Sequence, residues 1–232
     1  MILLDKHSIL KSLPKTISFE QYIILDAIRF TIEIIQISYD ELLKELEAIS
    51  TKKDKNIPKA FNSAWNIIDN IQRLNEIYKK FPQQTELTLF KDIAEIKFFR
   101  NSYQHLEDRI KEIIIDKRLP VFGALKWAVN DNKNPFSCLA ISGKFYGKET
   151  QIINPADITD KAFISQITLM TTVRQDKQTV EKEIVISDLI TTLKSNIEKL
   201  ETELVTSLKA KELLPEKQDL LTDIVITFIN KE

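Results

Sequence analysis

Residues 119–141, LPVFGALKWAVNDNKNPFSCLAI, decide the fold class. Before Leu119 apolar residues recur every three or four positions. From Leu119 on they come in short runs rich in β-branched and aromatic residues, cut by turn formers, and all three glycines (Gly123, Gly143, Gly147) fall in this part. Such a change of period marks strands. The pattern predicts strands over 121–129, 136–145, 163–173 and 179–186, with turns at Asn130 to Pro135 and Gln175 to Gln178. A four-stranded antiparallel meander is the simplest arrangement of them.

Helical spacing surrounds this β segment. A first helix is expected from Ser18 to Ile49: Ser18 caps it, Gln21 reaches back, and Ile17 packs on Tyr22 as a staple. Its polar residues Asp26, Arg29, Glu33, Gln36 and Asp40 form one thin line on an apolar cylinder. Most of its circumference is therefore expected to be covered, by other helices or a second subunit. After the lysine-rich link Thr51 to Lys55, a second helix is expected from Pro58 to Phe81. Phe61, Trp65, Ile68, Ile71 and Tyr78 form its core side, and Asn62, Asn66, Asp69, Asn70 and Arg73 its polar side.

The most regular periodicity is Leu89, Ile93, Ile96, Phe99, Tyr103, Leu106, Ile110 and Ile113, which predicts a third helix from Glu86 to Asp116. Phe98, Asn101, His105 and Asp108 lie on its opposite side, flanked by Arg100. A phenylalanine among these polar groups suggests a second contact surface. Helical spacing returns from Asp188, capped by Ser187, to Leu214, and a last helix follows Pro215. The expected class is mainly α (α+β), one domain over 1–232: three long helices in 17–117, an antiparallel β insertion in 118–186, and C-terminal helices in 187–230.

Composition narrows the function classes. With 33 basic and 34 acidic residues the formal charge is −1, so no global field draws in nucleic acid or anionic membrane, and a polyanion site must be local. The single cysteine, Cys138, excludes an internal disulfide; lying in an apolar run, it is expected to be a buried, inert thiol. Asp5, Lys6 and His7 stand where a signal peptide needs apolar residues, and Glu20, Asp26, Arg29 and Glu33 interrupt the most apolar long stretch. A cytoplasmic protein without a membrane partner is expected.

Only His7 and His105 are available as histidine ligands, so a zinc site is not expected, and three scattered glycines make neither a Walker loop nor a dinucleotide fingerprint. No cofactor or metal is expected. His7 is read as a surface residue on a frayed terminus. Asp69 and Arg73 have the i,i+4 spacing of a surface ion pair. Trp65 and Trp127 read as core anchors, one on an amphipathic helix and one in an alternating strand.

One stretch carries candidate chemistry: Arg100, Asn101 and, after three further residues, His105, on the outer side of the third helix. Here the chain resembles the HEPN superfamily, helical nucleotide-binding domains found among bacterial toxin and defence ribonucleases. The family's motif is an arginine, often followed directly by a polar residue such as asparagine, then a histidine after four to six residues intervening between it and the arginine. Arg100, Asn101 and His105 match it, and the helices of 17–117 and 187–230 would supply the bundle. Glu107 stands where one subgroup has a tyrosine.

The resemblance implies a homodimer whose two motifs meet in one metal-independent RNA-cutting site, in some members restrained by an antitoxin. An imidazole titrating near neutrality suits proton transfer at the 2′-hydroxyl. A guanidinium suits the charge that develops on the attacked phosphate. Asn101, one turn before His105, can support either. The alternatives are a non-catalytic module binding nucleotide, RNA or protein, which the balanced charge suits, and a plain structural dimer. In the bland reading of the motif, His105 is a solvated or capping histidine and Arg100 a surface partner of Glu107 or Glu95.

Overall fold

The computed structural model describes residues 1–14, 16–51, 56–81, 93, 95–110, 113, 120–130, 135–143, 163–175, 178–214 and 226. It is an α+β structure in which helices pack on a four-stranded antiparallel sheet. The helices are α1 (Phe19–Ser50), α2 (Ile57–Tyr78), α3 (Ile96–Gln104) and α4 (Ile186–Ala210). The strands are β1 (Ala124–Asn130), β2 (Phe136–Ile141), β3 (Phe163–Gln175) and β4 (Gln178–Val185).

α1 begins as its sequence dictates, with Ser18 Oγ accepting from the Gln21 amide at 3.2 Å. It forms a hairpin with α2, tied near the link by Lys59 Nζ to Glu45 Oε1 at 2.6 Å. Leu25, Ile28, Ile32, Ile35, Leu42 and Leu46 of α1 meet Phe61, Trp65, Ile68 and Ile71 of α2 in one buried cluster. The polar line on α1 is partly covered. Arg29 is buried and bonds Asp26 at 2.8 Å and Glu33 at 2.7 Å, while Gln36 accepts from the Leu3 amide at 2.7 Å.

That last contact corrects the expectation of a frayed terminus. Leu3, Leu4, Leu10 and Leu13 enter the core, and Ser8 Oγ donates to Glu201 on α4, so the N-terminal segment clasps α1 and α4 together. Burial contributes about 1.5–3 kcal/mol per leucine toward offsetting the cost of ordering the segment. His7 is exposed, as expected.

The sheet order is β2-β1-β3-β4, not the expected meander. Every neighbouring pair is antiparallel, but β3 returns beside β1 and leaves β2 at an edge. Burial explains the choice: β1 inserts Leu125, Trp127 and Val129, and β3 inserts Ile167, Leu169 and Val173, so both occupy the centre. β2 buries only Ala140 fully and exposes Leu139. Cys138 is half-buried rather than buried, and burial pushes its thiol pKa up against the opposing effect of its contact with Ser50.

Between Lys126 and Ala128 the β1–β3 register slips by one residue, and Gln166 takes φ +49° there. This is a bulge, which frees an amide from the ladder. Ser187 Oγ accepts that Ile167 N–H at 2.9 Å, so Ser187 does not cap α4. The helix starts two residues earlier than expected, directly from β4, with Val185 at its N-cap position. Gly123 is the position where only glycine fits: its φ is +85°, and a Cβ would lie 2.3 Å from the Met170 carbonyl oxygen.

The third helix is corrected most. It ends at Gln104 and is followed by a 3-10 turn over Glu107–Arg109. A straight helix would carry Ile113 about 16 Å beyond Ser102. Ile113 and Ser102 line one small cavity with Trp65, Tyr103 and Leu106; Ile110 and Ile113 are again helical, and the expected helix's residues 111–112 and 114–116 lie outside the described residues. Weak helix formers from Asn101 to His105 allow the break after Gln104. Two tertiary contacts reward it: Tyr103 stacks on Trp65 with ring centroids 4.5 Å apart, and the buried Ser102 Oγ accepts from the Arg174 amide of β3 at 3.0 Å. Leu89 and residues 86–92, and most of the segment after Pro215, lie outside the described residues. Among the described residues, no helix is long and apolar enough to cross a membrane.

Candidate functional site

α3 presents the motif on a short platform. Ile96 and Phe99 anchor it in the core, and Tyr103 pins it through Trp65, whose indole N–H donates to the Phe122 carbonyl at 3.2 Å. Trp127 is equally buried, so both tryptophans are core anchors. The opposite side of α3 carries exposed Asn101 and, at the helix end, His105.

His105 is the C-cap residue, with its amide donating to the Asn101 carbonyl at 3.1 Å. Its imidazole is 67% exposed, and Nδ1 lies 3.9 Å from Asp108 Oδ2, beyond hydrogen-bond distance. The ring therefore meets solvent with room for a substrate.

Arg100 turns toward α2 instead. Its Nε donates to Asp69 Oδ1 at 3.1 Å, and the same carboxylate accepts from Arg73 Nε at 2.8 Å and Gln104 Nε2 at 3.2 Å. Asp69 and Arg73 thus make the surface pair expected of their spacing. The second role of Asp69 was beyond spacing arguments, because 31 residues separate it from Arg100. Glu95, one of the two expected partners of Arg100, pairs with Lys182 of β4 at 3.2 Å. Among the described residues, the terminal guanidinium nitrogens of Arg100 make no hydrogen bond, which leaves its forked end for an anion.

Within one chain the structure brings Asn101 and His105 to one side of α3 but makes no contact between Arg100 and His105. Phe98, the suggested contact residue, is half-buried; Lys97 Nζ lies 5.0 Å and Lys182 Nζ 5.6 Å from its ring centroid. Both ammonium groups lie at cation–π distance from one ring, and Lys182 is also paired with Glu95. Among the described residues no group of three His, Cys, Asp or Glu side chains gathers where it could hold a metal.

The fold and this surface define an α+β protein with a solvent-facing histidine and a half-tethered arginine on a short helix. No family model, curated protein or solved structure matches the chain.

Proposed function

We propose that the chain is a HEPN-like, metal-independent endoribonuclease of the toxin or antiviral-defence kind, working in the cytoplasm as a homodimer. The observation that carries the reading is the Arg-Asn-x3-His motif on the outer side of α3, with the His105 ring open to solvent and the terminal guanidinium nitrogens of Arg100, held at Nε by Asp69, making no hydrogen bond among the described residues. In this reading His105 takes the 2′-hydroxyl proton as the oxygen attacks the adjacent phosphorus. A protonated imidazole, from the same or the partner subunit, then supplies the proton to the departing 5′-oxygen. Arg100 holds the non-bridging oxygens, whose negative charge grows in the transition state. Asn101 orients His105 or the RNA backbone from one turn away.

In this reading α1, α2 and α3, together with α4 packed on the sheet, take the part of the family's helical frame, and the sheet is an addition to it. In this reading an antitoxin or regulatory protein restrains the site. The ion pair to Asp69 and the balanced charge favour a second reading, a HEPN-like module that binds RNA or nucleotide without cutting, since a phosphate must compete with a carboxylate for Arg100.

Cleavage of total and transfer RNA in EDTA separates the two. Wild type is expected to cut, with His105→Ala and Arg100→Ala each at least about a hundredfold slower, as removal of a general base or an oxyanion partner implies. Equal cleavage by folded wild type and His105→Ala, or none by either, refutes catalysis; retained RNA binding in that case supports the second reading.

A further inference from the structure

Asp69 is shared by two arginines from different helices. Arg73, one turn further along α2, donates from Nε to Oδ2 at 2.8 Å, and Arg100 of α3 donates from Nε to Oδ1 at 3.1 Å. Gln104, the residue before His105, donates to the same carboxylate at 3.2 Å. An i,i+4 ion pair on a helix face needs one cation. Here a second arrives from another helix, and one carboxylate balances only one guanidinium, so two like charges are held close together with one in excess.

Their closeness follows from the bonds. With both Nε atoms on one carboxylate, the two guanidinium carbons are at most about 11 Å apart. Among the described residues the terminal nitrogens of Arg73, like those of Arg100, make no hydrogen bond. The next carboxylate along α2 is already engaged: Glu76 accepts from Lys79 and from Gln72, each at 2.8 Å. Its hydrogen bond to Lys79, with the charges of Lys79, Lys80 and Arg100, holds the Glu76 carboxyl below its ordinary range. From Asp69 to Lys80 the chain thus carries Arg73, Lys79 and Lys80 against Asp69 and Glu76, and Arg100 adds a fourth cation, whereas the whole molecule has a formal charge of −1. A polyanion meets here the local field that the net charge does not supply.

We infer that Arg73 is a second phosphate-binding residue, holding the RNA phosphate next to the one at Arg100, a role that rests on the ribonuclease reading of the motif and extends its site onto α2. Guanidinium forks match phosphate oxygens bidentately, and each nucleotide of a strand brings one phosphate, so two forks at this separation are within reach of neighbouring phosphates. An entering strand also relieves the repulsion between the two guanidiniums, which Asp69 alone does not. Because Asp69 binds both by Nε, the forks are held in place before the strand arrives.

Fluorescence anisotropy over a salt series tests this with a 2′-O-methyl RNA oligonucleotide, which lacks the attacking hydroxyl and is not cut. Each phosphate neutralised on a single strand contributes about 0.7 to the slope of log K against log salt concentration. Wild type is expected to bind. Arg73→Ala is expected to bind at least about fivefold more weakly at low salt, with a slope shallower by about 0.7, equally for oligonucleotides of different sequence. Arg73→Lys, which keeps the charge and loses the fork, is expected to restore the slope. Arg73 is largely exposed, so neither change disturbs the core.

Wild-type affinity and slope in Arg73→Ala overturn the inference and leave the ribonuclease reading standing. Weaker binding at an unchanged slope overturns it too, because the loss then comes from a disturbed neighbour and not from a phosphate contact. Wild type that binds no RNA removes the reading itself, and the role of Arg73 with it.

Discussion

Ser50→Ala tests how the sheet is joined to the helices. Ser50 closes α1, and its Oγ, itself buried, accepts from the indole N–H of Trp127 at 2.9 Å while donating to the Leu46 carbonyl at 2.7 Å. Trp127 is 1% exposed at the centre of β1, so no water can replace the lost acceptor. A buried donor left without a partner costs about 1–3 kcal/mol. The better helix propensity of alanine returns about 0.5 kcal/mol. The net loss should be about 0.5–2.5 kcal/mol, or about 1–10 °C in Tm for a chain of this size.

Urea unfolding followed by tryptophan fluorescence would read it as a lower midpoint at unchanged slope. A double-mutant cycle then isolates the bond: in a Trp127→Phe background, which has no indole N–H, Ser50→Ala should cost about 1 kcal/mol less than in wild type. A cost below about 0.5 kcal/mol in wild type, or the same cost in both backgrounds, would refute the claim that this bond ties α1 to the sheet.

Other expectations follow from the same geometry. Gly123→Ala should lose at least about 2 kcal/mol by thermal or urea denaturation, because the position combines positive φ with a 2.3 Å approach to the Met170 carbonyl. Burial, with Glu203 nearby, pushes the Tyr78 phenol up from 10.0 to about 12. The unfolded chain therefore releases that proton first. Stability should be intact below pH 10 and fall by about 2–3 kcal/mol as pH rises to about 12, a loss that Tyr78→Phe should reduce in a pH series of unfolding curves. Asp69→Asn should cost about 1 kcal/mol or less, since Arg73 is largely exposed, while tightening RNA binding in a filter assay by releasing Arg100.

The elements whose signals are local were legible in the sequence. Ser18 announced α1, the buried faces of α1 and α2 followed their periodicity, and all four strands lie where the period changed. What failed depends on contacts between distant residues. The stripe through Ile110 and Ile113 read as one continuous helix because periodicity reports which residues are apolar, not whether the chain runs straight between them. The break after Gln104 is rewarded by Trp65 and Arg174, 38 and 72 residues from Tyr103 and Ser102 respectively. Ser187 looked like a cap because no pattern reveals a bulge twenty residues earlier. The same limit holds at the candidate site, where the motif was legible but the Asp69 tether on Arg100 was not.

The N-terminal clasp also sets a schedule for folding. Ser8 meets Glu201 across 193 residues, so its partner leaves the ribosome roughly 10–40 s later at ordinary rates of synthesis. Throughout that interval Leu3, Leu4, Leu10 and Leu13 have α1 to rest on but no α4 to close over them. Contacts this distant in sequence slow the search for the native state. Closure of the clasp should be among the last events of folding, and a nascent chain stalled before α4 should carry this leucine-rich segment as a ready target for chaperones.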